Sequence, residues 1–524
     1  MKQQNNKIVL IVVMLVGLAS IFYLNIVYKD TFGERDSFRM AMGIIDSITS
    51  NKPLGSSMLY GRDISFAYFV LLDFFRPIFK TNLALIIPFM NYINALSAIF
   101  MVIPFFFLVR RYWGTSVALL ANILLMFIPI WRATSQYGHP MTGAILFMFI
   151  GLALIGYRSI LKSMRLGWKR LILLDVLIIG NFALCLMFRL DAILMFPLIP
   201  ACLFLENYPF NFKKIGSFSI LYSFLPVIVF KVMQSQLPYI EENSNGIFDQ
   251  LLLWNNPVRY VDNSLSGTLR VIWGLNPLLC LIFLLSCIYL VYKKHSYSYL
   301  FFILPTVLLN YIFWLPNPTP ARHFIYLSPV VAISIAIFLV NIFPTVKSFV
   351  KNNRNTGVTL AVILIISVFI SYQYSYSAPM SKKYSYTVRQ LGNELQQLEP
   401  KDQPIFVIGD TIPAVVQMQL LSKDTTVVYK KTNILTDEDI EAQEKSVFKP
   451  KPTYIYVIVV ENHKNKFICY FQGWKAKINE IKRFFGETDE YDRGYLVLNM
   501  LDKDARKIDI EPSSLSKKFE ILKL

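Results

Sequence analysis

The sequence predicts a polytopic α-helical membrane protein of about eleven crossings, N-terminus inside and C-terminus outside, with a small extracytoplasmic α/β domain at its end. Three observations carry this. Over 524 residues the chain is 55% hydrophobic with a mean hydropathy of +0.46, and its apolar residues fall in runs of bilayer-spanning length. Basic residues collect in alternate loops with almost no acids beside them. After Tyr376 the runs stop, and mixed charges with short β-rich segments begin.

The runs lie at 8–27, 83–109, 115–131, 140–157, 171–188, 191–206, 215–232, 269–292, 297–315, 324–343 and 357–375. The first follows Lys2 and Lys7 but has no small-residue cleavage site, so it reads as a retained helix and not as a removable signal peptide. With the N-terminus inside, the inward loops hold Arg110 and Arg111; Arg158, Lys162, Arg165, Lys169 and Arg170; Lys213 and Lys214; Lys293 and Lys294; and Lys347, Lys351 and Arg354. The formal charge of +18 is therefore mostly a topology signal, and nucleic acid is excluded as a partner. Segment 63–80 (DISFAYFVLLDFFRPIFK) could be a further crossing, but counting it would turn every later basic loop outward. It reads as a helix lying in the outer interface, with an ordinary second span as the alternative.

The chain thus divides into a transmembrane domain over 1–376, whose outer loop 28–82 contains interfacial helices, and an extracytoplasmic α/β domain over 377–524. Four of the five cysteines, Cys185, Cys202, Cys280 and Cys287, lie in membrane segments; Cys469 is alone in the outer domain, so no disulfide forms within it. No CxxC, HExxH or P-loop motif occurs, which argues against an ATP-driven pump.

The residues able to do chemistry gather on the outer side. Gly33-Glu34-Arg35-Asp36-Ser37-Phe38-Arg39 places a carboxylate between two arginines just after the first crossing, at the start of an amphipathic pattern in which Phe38, Met42 and Ile45 share a side. In the next short outer loop His139 is titratable near neutrality; a cap or hydrogen-bond partner is the bland reading, a ligand or catalytic role the sharp one. Phe188-Arg189-Leu190-Asp191 brings two charges to the hydrocarbon edge, where Arg189 either pairs with Asp191 or holds an anionic substrate group. Asp175, toward the inner end, is expected to pair with Lys169 or Arg170. The outer loop over 233–268 is long and aromatic enough to cover a site. Prolines 316, 318 and 320 stiffen a turn that opens a helix at Arg322-His323, where the helix dipole and the guanidinium fork favour an anion; a snorkelling arginine is the alternative. In the C-terminal part, strands are expected at 404–408, 425–429, 454–460 and 495–498.

An N-terminal crossing, a first outer loop with Asp36-Ser37 ahead of Met40-Ala41-Met42, interfacial helices, many further crossings and an outer C-terminal domain resemble the GT-C glycosyltransferases. Among these the chain looks most like the bacterial relatives of protein O-mannosyltransferase and lipid A aminoarabinose transferase, over residues 8–375. The resemblance implies transfer of a sugar from a polyprenyl-phosphate donor to a glycan, protein or lipid acceptor outside the cell membrane. Asp36 would be the catalytic base, and Arg322, His323 and Arg189 would hold the donor phosphate. Glu34, Arg35, Arg39 and His139 would be neighbours in the substrate site. Many relatives carry a second acid where this chain has Gly138-His139-Pro140. No cofactor is expected with certainty; a divalent cation is possible, with Asp36 and Glu34 its obvious oxygen ligands. The rival reading is a transporter or flippase of a lipid-linked glycan.

Overall fold

A computed structural model describes residues 40–51 in part, 65–82, 85–135, 140–164, 167–206, 212–236, 272, 275–292, 304–311, 321–352 and six strands between 405 and 521. Its contacts divide the chain into two compact units. One holds residues 1–29, 61–73 and 90–378; the other holds 30–60, 74–89 and 379–524.

In the first unit, α1 (Phe66–Asp73) buries Phe66, Tyr68, Phe69 and Leu72. Residues 65–81 are not one long helix: after a turn at residues 74 and 75 the chain continues, now in the second unit, as α2 (Arg76–Thr81), with Pro77 in its first turn. At eight and six residues, neither piece has the length of about 20 that spans a bilayer.

α3 (Ile86–Trp113) runs 28 residues and ends on Arg110 and Arg111. Gly114, at φ 89°, then reverses the chain into α4 (Thr115–Phe127), a backbone conformation open to glycine at no steric cost. The apolar run 115–131 does not stay one helix, because Pro129 cannot donate into the ladder and opens a separate α5 (Pro129–Thr134). α6 (Met141–Ser163) and α7 (Trp168–Phe188) pack on each other along their length. Gly143 and Gly151 of α6 make this possible, since a Cβ at Gly143 would lie 2.6 Å from a Phe188 ring carbon and one at Gly151 would overlap the Phe182 ring.

The run 191–206 also departs from a single crossing. It is a 3₁₀ helix (Leu190–Met195), then a turn at Phe196 and Pro197, then the nine-residue α8 (Leu198–Glu206). Charge at Arg189 and Asp191 and the proline interrupt what hydropathy alone joins. α9 (Phe212–Ser235) lies against α7 and α8. α10 (Pro277–Tyr292) starts where the Asn276 side-chain oxygen accepts from the Leu278 and Leu279 backbone N–H groups at 2.9 and 3.3 Å. A second 3₁₀ helix (Ala321–Leu327) leads into α11 (Ser328–Asn352), which packs on α4 and α10.

Among the described residues, five helical segments are long and apolar enough to cross a membrane: Pro88–Trp113, Met141–Leu161, Trp168–Phe188, Lys213–Ser235 and His323–Ile342. Thr115–Met126 and Pro277–Tyr292 are shorter apolar helices. The runs at 8–27 and 357–375 lie outside the described residues.

In the second unit the described residues between 40 and 48 are helical and buried, and Lys80 donates to the Asn51 side-chain oxygen at 3.2 Å. Phe89 packs its ring against Phe75 and Phe79. Four strands, β1 (Ile405–Gly409), β2 (Val427–Lys431), β3 (Tyr454–Val460) and β4 (Tyr495–Asn499), form one sheet in the order β2-β1-β3-β4. β1 is parallel to both neighbours, with Ile405 opposite Val427 and Tyr454, and β4 closes the edge antiparallel. Parallel neighbours require crossover connections, for which the segments between these strands leave room. β5 (Ile508–Ile510) and β6 (Phe519–Ile521) make a separate antiparallel pair.

Candidate functional site

α7 ends one residue before Arg189. Arg189 is extended (φ −161°, ψ 114°), while its N–H still bonds the Cys185 carbonyl at 3.0 Å. Its own carbonyl accepts from Ala192 at 3.1 Å and so begins the first 3₁₀ turn. The break leaves Arg189 and Asp191 inside the protein, each 5% exposed. Buried charges of this kind persist when paired and hydrogen-bonded, and Arg189 Nε donates to Asp191 Oδ1 at 3.0 Å.

The second 3₁₀ helix supplies the rest. In such a helix side chains three residues apart eclipse, so His323 and Tyr326 fall on one face. The Tyr326 hydroxyl donates to Asp191 Oδ1 at 2.6 Å, and His323 Nδ1 lies 3.6 Å from Asp191 Oδ2. Tyr326 is fully buried and His323 is 7% exposed. α5 packs against this 3₁₀ helix and buries Trp131. One carboxylate thus gathers an arginine, a histidine and a phenol from two segments far apart in sequence. A guanidinium has five N–H donors and an imidazole two nitrogens, so such a cluster has the chemistry to receive an anion as well as Asp191.

Of the residues singled out from sequence, Arg189 and His323 are brought together here through Asp191. Arg322 opens the same 3₁₀ helix by its backbone; its side chain lies outside the described residues. Asp36, Glu34, Arg35, Arg39 and His139 also lie outside them. Tyr326 was not visible as a functional residue from sequence. The signal that could have found it is the three-residue spacing from His323, once that stretch is taken as helical. Among the described residues no group of three or more His, Cys, Asp and Glu is placed to hold a metal.

A second charged cluster occupies the other end of α7. Asp175 does not pair with Lys169 or Arg170, which stand six and five residues away on the same helix, outside the three- or four-residue spacing at which helical side chains meet. It takes a bidentate bond from Arg158 of α6, at 2.5 and 2.9 Å, and a hydrogen bond from the Tyr222 hydroxyl of α9. Beside it Arg111 bonds both oxygens of Glu206 at 3.1 Å. Fourteen residues of helix separate Asp175 from Arg189, about 21 Å at the helical rise.

The architecture has counterparts among solved structures. The undecaprenyl phosphate-bound structure of ArnT, the aminoarabinose transferase, from Cupriavidus metallidurans superposes with a TM-score of 0.56, 10% identity, and coverage of 93% of this chain and 97% of that one. The chain has a GT-C-like fold. The apo form of ArnT gives a TM-score of 0.53 at 11% identity, covering 90% and 94% of the two chains. An oligosaccharyltransferase of Archaeoglobus fulgidus tethered to an acceptor peptide gives 0.49 at 12% identity, covering 86% and 68%. No protein-family model matches the sequence, and no curated protein matches it.

Proposed function

We propose that this chain is a membrane glycosyltransferase that moves a sugar from a polyprenyl-phosphate donor to a glycan, protein or lipid acceptor on the outer side of the membrane. The observation that carries the reading is the full-length likeness to ArnT, whose structure holds undecaprenyl phosphate, the lipid carrier such a donor would leave behind. The buried Arg189–Asp191–His323 cluster supports it by bringing a guanidinium and an imidazole inside a helical bundle, where ionisable groups are costly and mark functional sites.

In this mechanism Asp36 removes the proton from the acceptor hydroxyl as its oxygen attacks the anomeric carbon. The bond to the phosphate oxygen breaks, and its electron pair leaves with the polyprenyl phosphate. One carboxylate suffices for this single inverting displacement; the paired carboxyls of a retaining hydrolase are not needed. Arg322, His323 and Arg189 steady the phosphate as it takes up charge. Glu34, Arg35, Arg39 and His139 border the substrate, and residues 377–524 form an outer α/β domain that handles the acceptor.

The test is transfer by purified protein in liposomes, given radiolabelled undecaprenyl-phosphate sugars and cell-envelope fractions as acceptors. Asp36→Asn should slow transfer about 100-fold or more, the usual range for losing a general base, with an unchanged melting temperature. Transfer by the folded variant at the parental rate would overturn the assignment of Asp36. If the parent transfers nothing yet the liposomes move lipid-linked glycan across the bilayer, the protein is a transporter.

A further inference from the structure

We propose that Asp191, aided by Tyr326, is a positioning residue: it fixes the orientation of Arg189 and His323 so that both side chains meet the same phosphate. The inference rests on the donor-phosphate reading above and adds to it two residues whose part is to hold others in place.

The geometry carries the argument. Arg189 is the first residue after a helix, His323 the third of a short 3₁₀ segment, and such segments have poorer hydrogen bonds than α-helices. Neither position is held by regular backbone alone. Asp191 Oδ1 takes Arg189 Nε at 3.0 Å and the Tyr326 hydroxyl at 2.6 Å, while Oδ2 faces His323 Nδ1 at 3.6 Å. Nε is the guanidinium nitrogen nearest the stem, so a bond there sets the plane of the whole fork. Tyr326, one 3₁₀ turn from His323 and fully buried, ties the segment carrying the imidazole to the same oxygen. Asp191 is thus the common point of two segments 135 residues apart at its bond to Tyr326.

A carboxylate that only balanced charge would have a different consequence. It would weaken the hold of Arg189 on any other anion, and removing it would tighten phosphate binding. Positioning predicts the reverse, because an arginine and a histidine left to turn independently lose the shared geometry.

The experiment measures equilibrium binding of undecaprenyl phosphate to the full-length protein in nanodiscs, by native mass spectrometry, with melting temperatures recorded for every variant. Arg189→Ala tests the phosphate reading itself and should weaken binding about ten-fold or more. Asp191→Glu keeps the charge but moves it by one methylene, and should weaken binding about ten-fold, as loss of an orienting partner does elsewhere. Tyr326→Phe removes only a hydroxyl and should weaken binding about 3-fold, the worth of one hydrogen bond, in a protein that remains folded. If Arg189→Ala binds like the parent, the phosphate reading fails. If Arg189→Ala loses affinity while Asp191→Glu and Tyr326→Phe bind as tightly as the parent, or more tightly, the positioning role is overturned.

Discussion

Asp175 lies between Arg158 of α6 and Tyr222 of α9, and the three helices meet at its carboxylate. The Arg158 and Asp175 side chains are 16% and 18% exposed, so the pair is only partly desolvated. Removing one partner of a fully buried pair costs about 3–5 kcal/mol; here Arg158 also stacks over the Phe218 ring at 4.4 Å, which keeps the guanidinium engaged. Asp175→Asn should therefore destabilise the protein by about 2 kcal/mol and Tyr222→Phe by about 1, read as lowered melting temperatures in detergent. A melting temperature for Asp175→Asn within a degree of the parent's would show that the pair contributes nothing. The contrast with Asp191 shows what a sequence can disclose at this scale. Arg189 and Asp191 are two residues apart, and their pairing follows from adjacency and the cost of lone charges near hydrocarbon. Arg158 as partner to Asp175, and His323 and Tyr326 as partners to Asp191, depend on how helices pack, which no local pattern records.

At the scale of the element, hydropathy found the helices and missed where they stop. The runs at 140–157 and 171–188 became α6 and α7 with ends moved by a few residues. Those at 115–131 and 191–206 were each split, because a run of apolar residues reads the same whether its backbone is continuous or broken. Pro129 and Pro197 were the available signals of the breaks. Glycine was the signal for the tightest interface. Gly143 and Gly151, eight residues apart on α6, accept the Phe188 and Phe182 rings of α7, whereas Gly180 on α7 has open space where a side chain would go. Alanine at the two kinds of site should act with opposite sign. Gly151→Ala must displace a buried ring and should cost about 1–3 kcal/mol, while Gly180→Ala should stabilise by about 0.5 kcal/mol through reduced backbone freedom. Phe182→Leu should recover part of the loss in the Gly151→Ala background. Equal thermal shifts at Gly151 and Gly180 would exclude ring seating as the reason for the glycines.

For the whole molecule, the sharpest open consequence is which side of the membrane each part occupies. The basic residues at 110–111, 158–170 and 213–214 stand at the end of α3, across the end of α6 and the start of α7, and at the start of α9. Arg189 follows the opposite end of α7 from Arg170, so the two belong to opposite faces if α7 crosses. By the positive-inside bias the sequence expectation would put Arg189 and the start of α11 outward. The break of 63–80 into two short helices matters here, because counting that segment as a crossing would invert every later loop. The eleven crossings expected from the sequence would put the C-terminal strands on the outer side. An epitope tag after Leu524 should bind antibody on intact spheroplasts, and a tag inserted near Gly167 should bind only after permeabilisation. The inverse result would reverse the topology and remove the Arg189–His323 cluster from the outer face. Both tags on one side would instead require one crossing more or fewer between Gly167 and the strands, and the face of Arg189 would then follow from the Gly167 tag alone.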